Sequence, residues 1–127
     1  MAKKILVVDD EMHLARILQF TLKNAGYEVS LAYDGKEALE MVQEINPDLV
    51  ILDLVLPIVD GYKVCNKIKN DKSTESIPVI ILTARDLESV NLEGDILADK
   101  IMQKPFNTEK LLEEIERLIN GSGQESH

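Results

Sequence analysis

Five short apolar runs separated by stretches of helical periodicity limit what this chain can fold into more than any other feature. They are Ile5 to Val8, Glu28 to Ala32, Leu49 to Leu52, Val79 to Leu82 and Lys100 to Gln103. Strands joined by helical crossovers must run parallel, and a parallel strand covered on both faces is apolar nearly without interruption. Ile5-Leu6-Val7-Val8, Leu49-Val50-Ile51-Leu52 and Val79-Ile80-Ile81-Leu82 have that character. Glu28-Val29-Ser30-Leu31 alternates and Lys100-Ile101-Met102-Gln103 is weaker, as expected of outer strands. The pattern predicts a three-layer α/β/α sandwich around a five-stranded parallel sheet. A length of 127 residues suits one domain, expected over 1–120, with 121–127 as a flexible Gly/Ser-rich tail.

The spacing of Leu14, Ile17, Leu18, Leu22 and Ala25 predicts a first helix over Met12 to Ala25 whose apolar stripe is core, stopped by Gly26. A second helix, Lys36 to Ile45, is introduced by Asp34 with Glu37 three residues on, a capping-box pattern, and ends at Asn46-Pro47. A third, Gly61 to Asn70, buries Val64, Cys65 and Ile68, and Asp71 to Ser76 reads as a loop. The last helix, Thr108 to Ile119, presents Leu111, Leu112, Ile115, Leu118 and Ile119 on one face. A fourth helix is expected within Leu87 to Leu97, where Asn91, Gly94 and Asp95 are poor helix formers and mobility is expected.

Composition excludes several function classes. A formal net charge of −9 opposes a nonspecific grip on nucleic-acid phosphates, so no direct nucleic-acid partner is expected. No apolar run reaches the roughly 18–20 residues that span a bilayer, so no membrane partner is expected either. The single Cys65 can form no internal disulfide and reads as a small buried hydrophobe, which suits a reducing, cytoplasmic setting. His13 and His127 lack metal-ligand spacing and are expected to face solvent.

Ligands of open parallel sheets bind beyond the C-terminal strand ends, where the topology changes direction. The residues at those ends are Asp9 and Asp10, Asp53, Thr83, and Lys104. Taken singly, each is an ordinary helix cap or a solvated side chain. Together they are harder to set aside, because gathered carboxylates repel one another unless a cation neutralises them. Oxygen-only donors point to Mg²⁺; an EF-hand run is missing, and transition metals would want His or Cys. A hard cation, an ammonium and a hydroxyl around a carboxylate form a cradle for phosphoryl transfer. Asp53, alone on the central strand, is the candidate nucleophile, while the adjacent Asp9 and Asp10 suit metal binding.

From Lys3 to Ile119 these motifs resemble the receiver domains of two-component response regulators. They are Ile5-Leu6-Val7-Val8-Asp9-Asp10-Glu11, Asp53-Leu54-Val55-Leu56-Pro57, Asp60-Gly61, Leu82-Thr83-Ala84-Arg85 and Lys104-Pro105-Phe106. The resemblance implies a flavodoxin-like, doubly wound sheet of order 2-1-3-4-5. It implies an aspartyl phosphate on Asp53, taken from a histidine kinase, a phosphotransfer protein or a small phosphodonor, in a signalling switch rather than a turnover enzyme. It makes Asp10 a direct and Asp9 a water-mediated Mg²⁺ ligand, joined by Asp53 and the Val55 backbone carbonyl. Thr83, the Ala84 backbone N–H and Lys104 would receive phosphoryl oxygens, and Lys104-Pro105 would be a cis peptide. Signalling would pass through the fourth helix, fifth strand and last helix to a downstream protein or output domain, with phosphorylation-dependent dimerisation left open.

The sequence also departs from the family pattern. Ile101 stands where receivers carry an aromatic switch residue, Leu97 where Gly is frequent, and the segment from Thr83 to Lys104 is about one residue short. These changes bear on signal transmission, and keep a phosphorylation-independent pseudo-receiver as the alternative. Val55, whose side chain cannot hydrogen-bond, and Arg85 flank the expected path of hydrolytic water, which predicts slow self-dephosphorylation. A haloacid-dehalogenase-like phosphatase would need an acid two residues past the nucleophile, where this chain has Val55. A Gly-rich nucleotide loop is likewise replaced by Asp9-Asp10-Glu11.

Overall fold

A computed structural model describes residues 2–56, 58–84 and 97–124. The strands are β1 Lys4–Val8, β2 Glu28–Ala32, β3 Leu49–Asp53, β4 Val79–Thr83 and β5 Lys100–Gln103, and the helices are α1 Met12–Asn24, α2 Gly35–Ile45, α3 Gly61–Asn70 and α4 Thr108–Gln124. All strand pairs are parallel, in the order β2-β1-β3-β4-β5. The expected fold class and strand order therefore hold, with β1, β3 and β4 each one residue longer than their apolar runs. The fourth helix expected within Leu87 to Leu97 falls, apart from an exposed Leu97, outside the described residues, as do Pro57, Arg85 and His127.

The period of two along each strand sorts side chains to opposite faces. Leu6, Val8, Val50, Leu52, Val79 and Ile81 join Ala38 and Val42 of α2 and Val64, Cys65 and Ile68 of α3 in one core. Ile5, Val7, Leu49, Ile51, Ile80 and Leu82 meet Leu18 and Leu22 of α1 and Leu111 and Ile115 of α4 in the other. Ile101 packs half-buried against the first cluster and Met102 against the second. Cys65 is buried, and loss of water around it pushes the thiol pKa up to about 11, which agrees with an unreactive packing role.

Helix ends follow their local chemistry. At the N-terminus of α2 the Glu37 N–H donates to Asp34 Oδ1 (2.7 Å), while Glu37 Oε1 accepts from the Tyr33 N–H (2.8 Å). The reciprocal cap expected from Asp34 and Glu37 is present, with its return bond one residue before the cap. Asn46 ends α2 in the left-handed region, φ 48°. After α1, Gly26 takes φ 102°, and the Gly26 and Tyr27 N–H groups donate to Lys23 O (3.0 Å) and Leu22 O (3.1 Å). That pair of bonds is a Schellman stop, whose left-handed position favours glycine.

Two expectations need correction. The whole apolar stripe of α1 was expected to be core, yet only Ala15, Leu18 and Leu22 are buried; Leu14, Ile17 and Ala25 are exposed, as are Met12 and Phe20. A helix lying on a sheet offers it a narrow arc, and α1 carries more apolar residues than that arc holds. The last helix also continues past Ile119 to Gln124. Once packing of Leu111 and Ile115 has supplied the costly nucleus, each further turn propagates cheaply, even through glycine.

Candidate functional site

β1 and β3 are neighbours in register, Val8 opposite Leu52, so the residues that follow them emerge side by side at the C-terminal edge of the sheet. The chain leaves β1 toward one side of the sheet and returns on the other, making this the topological switch point. Asp9, Asp10 and Asp53 each present a carboxylate oxygen there, all within 4.8 Å of one another. The three acids predicted from sequence are thus brought together.

Their settings differ. Asp9 is buried; its N–H donates to Ala32 O (3.0 Å), and its Oδ1 accepts from the Glu11 N–H (2.9 Å). Asp10 is exposed. Asp53, the last residue of β3, accepts the Val55 N–H on Oδ1 at 3.1 Å, and its Oδ2 faces Lys104 Nζ at 3.4 Å. Lys104 Nζ also donates to Asp9 Oδ2 at 3.2 Å, bridging the two carboxylates. Burial raises the Asp53 pKa above its usual value; the Val55 N–H and Lys104 counter it, and Asp9 reinforces it. Burial alone would lower the Lys104 pKa, but Asp53 and Asp9 outweigh it and hold the ammonium above its usual range.

The remaining predicted residues flank this cluster. Thr83 is fully buried at the end of β4, whose Leu82 is in register with Asp53, and its carbonyl accepts from the Lys104 N–H at 2.7 Å. Ala84 follows, exposed. Lys104-Pro105 is a cis peptide, as expected. Val55 is exposed beside Asp53 with its side chain toward water.

Two contributors were not singled out as site residues from sequence. Gly61, at the start of α3, lies so close to the chain leaving β3 that a Cβ would stand 2.4 Å from Asp53 O and 2.6 Å from Leu54 Cα. With the Gly61 N–H donating to Leu54 O (2.9 Å) and Asp60 capping α3 through Lys63 N–H, this contact folds the loop back beside Asp53. The pair Asp60-Gly61 was visible in the sequence, but the backbone it must pass was not. The second is a groove of about 470 Å³ between α1 and the segment after β5, lined by Leu14, Ile17, Phe106 and Pro105 and reaching Asp9 and Lys104. Its signal was the surplus of apolar residues on α1.

Hard oxygen donors in a tight, partly buried cluster fit a small divalent cation, and no His or Cys belongs to the group. One lysine against three carboxylates leaves the cluster with net negative charge, which a cation would offset.

Comparison with known proteins agrees with this geometry. A family model described as the response regulator receiver domain matches residues 5–116. Among solved structures, the signal receiver domain of a signal transduction histidine kinase from Syntrophus aciditrophicus is 33% identical with a TM-score of 0.88, covering 94% of this chain and 92% of that one. The chemotaxis response regulator CheY4 of Vibrio cholerae is 31% identical with a TM-score of 0.84, covering 93% and 99%. The receiver domain of sensor histidine kinase PA1611 from Pseudomonas aeruginosa, solved with a magnesium ion coordinated in its active-site cleft, is 27% identical with a TM-score of 0.86, covering 94% and 99%.

Proposed function

Since the chain belongs to the response regulator receiver domain family, we propose that it is a phosphoacceptor switch that takes a phosphoryl group onto Asp53. The observation that carries this reading is the Lys104 bridge between Asp9 and Asp53 inside a three-carboxylate cluster at the switch point of the sheet. Asp9, Asp10 and Asp53, with the Val55 carbonyl, would hold Mg²⁺, which when bound supplies positive charge against the phosphoryl oxygens.

The chain's own groups divide the remaining work. The Val55 N–H fixes Asp53 Oδ1, which leaves Oδ2 on the Lys104 side as the nucleophilic oxygen. Lys104 offers an ammonium kept protonated by its acidic neighbours, ready to pair with a phosphoryl oxygen. The Thr83 hydroxyl and the Ala84 N–H, at the end of the adjoining strand, complete the cradle. Catalysis on this account is positioning and electrostatics, with no proton to remove from an ionised Asp53.

The phosphoryl donor would be a histidine kinase or phosphotransfer protein, and the readout a downstream protein or output domain, in the cytoplasm. No helix among the described residues is long and apolar enough to cross a membrane. Phosphorylation would shift a pre-existing equilibrium of the β5–α4 face and could drive dimerisation. Incubation with Mg²⁺ and acetyl phosphate, followed by intact-mass analysis, should show one phosphoryl adduct that is absent in Asp53→Ala. A wild type without adduct would overturn the reading in favour of a phosphorylation-independent binding module. An adduct that persists in Asp53→Ala would move the acceptor elsewhere.

A further inference from the structure

We infer that the groove beside Asp9 and Lys104 receives the acyl chain of a small phosphodonor, so that this receiver prefers acyl phosphates longer than acetyl phosphate. The inference rests on the phosphoacceptor reading and extends it to the class of donor.

The groove has the size of a small-molecule site, about 470 Å³. Its floor is Leu18 and Leu82, both buried, and its walls are Leu14 and Ile17 of α1 facing Pro105 and Phe106 after β5. Ile17 is 62% exposed, so the wall is unfilled rather than part of the core. The other end of the groove is polar: Asp9 and Lys104 belong to both the groove and the carboxylate cluster, and Lys104 Nζ is 3.4 Å from Asp53 Oδ2. An ammonium at one end and an apolar trough running away from it complement a molecule with an anionic head and a hydrocarbon tail. An acyl phosphate is such a molecule, and its phosphoryl end is the one the cluster consumes.

The transfer balances without a proton. An Asp53 carboxylate oxygen forms the new O–P bond, the bond between phosphorus and the acyl oxygen breaks, and its electron pair leaves with a carboxylate. The chain stays beside Leu14, Ile17 and Phe106 throughout. A methylene taken fully out of water changes an equilibrium constant about fourfold. In a groove open on one side, about two- to threefold per carbon is expected, or about fivefold for butyryl over acetyl phosphate.

The test compares initial rates of adduct formation with acetyl, propionyl and butyryl phosphate in Mg²⁺ buffer, at donor concentrations below saturation. Their carboxylate leaving groups are nearly equal in basicity, so intrinsic reactivity is matched. Wild type should show the rising series. Ile17→Ser, which removes a wall, and Thr21→Leu, which fills the groove from the same helix, should flatten the series, read in each variant as the ratio of its butyryl to its acetyl phosphate rate. A flat series in a wild type that reacts with acetyl phosphate would overturn this inference alone, leaving the groove to side chains of a protein partner. A rising series unchanged in both variants would overturn the groove as its cause. No adduct with any donor would instead overturn the phosphoacceptor reading.

Discussion

Asp53→Asn should make the metal-free protein more stable while removing the proposed phosphoacceptor. The Asp53 Oδ2 lies 3.4 Å from Lys104 Nζ, an attraction of about 5 kcal/mol at an effective dielectric constant of about 20. Asp9 and Asp10 each place an oxygen within 4.8 Å, so each repulsion is about 3.5 kcal/mol or more on the same scale. Lys104 outweighs Asp9, and water around exposed Asp10 screens its repulsion, so burial of Asp53, the largest cause, tips the balance against the ionised carboxylate. Asparagine keeps the shape and an acceptor for the Val55 N–H, and the Lys104–Asp9 pair remains. A gain of about 1–2 kcal/mol is therefore expected in urea unfolding at neutral pH, low ionic strength and with EDTA present. Because burial first and Asp9 second raise the native pKa of Asp53 above 3.8, the native state holds that proton more tightly than the unfolded chain. The ionised carboxylate therefore opposes folding above its native pKa, and the opposition fades as pH falls through that value toward 3.8. The advantage of the variant should shrink over the same window and also shrink with salt. Magnesium at about 100 times its Kd should add about 2.7 kcal/mol to the wild type and less to the variant. A variant less stable than wild type in EDTA, or one whose advantage grows on acidification, would refute the electrostatic account.

Three further outcomes follow from particular residues. Gly61→Ala should lose about 2–4 kcal/mol in chemical denaturation, since its Cβ would meet the backbone at 2.4–2.7 Å and neither Asp53 nor Leu54 can swing aside; a change within about 0.5 kcal/mol would contradict the packing described. Ile58→Gly should gain about 0.5–1 kcal/mol, because Ile58 is β-branched at φ 71° and 74% exposed, so relief of strain exceeds the entropy and little burial is lost; a destabilised variant would show that Ile58 has a role other than strain. Val55→Asn should shorten the lifetime of phosphorylated protein severalfold by offering a hydrogen bond to attacking water beside Asp53, measured by loss of the adduct after donor removal. An unchanged lifetime would refute the expectation that Val55 slows hydrolysis.

The apolar runs were sufficient for the sheet because burial on both faces demands Ile, Val and Leu at consecutive positions. Their ends pointed to Asp9, Asp10, Asp53, Thr83 and Lys104 because a parallel sheet exposes all its C-terminal ends on one edge. α1 was read less well. Leu14 and Ile17 have the spacing of core residues, but spacing reports which side chains share a face and not whether another element covers that face. Its surplus apolar residues became a groove wall. The extension of α4 to Gln124 was missed for a related reason: Gly121 and Gly123 are poor helix formers alone, yet they follow a helix already paid for by packing.

The sequence by itself determined the class of fold, the strand order through resemblance, and the identity of the acidic cluster, because each depends on local periodicity or on residues at strand ends. Tertiary structure decided the rest. Only the folded chain sets Lys104 between Asp9 and Asp53, across 95 and 51 residues of sequence, and so joins the two carboxylates through one ammonium. Only it brings Gly61 against the backbone of Asp53, and turns the outer side of α1 toward Phe106. Periodicity is a property of one segment, whereas electrostatic balance and shape are properties of segments in contact.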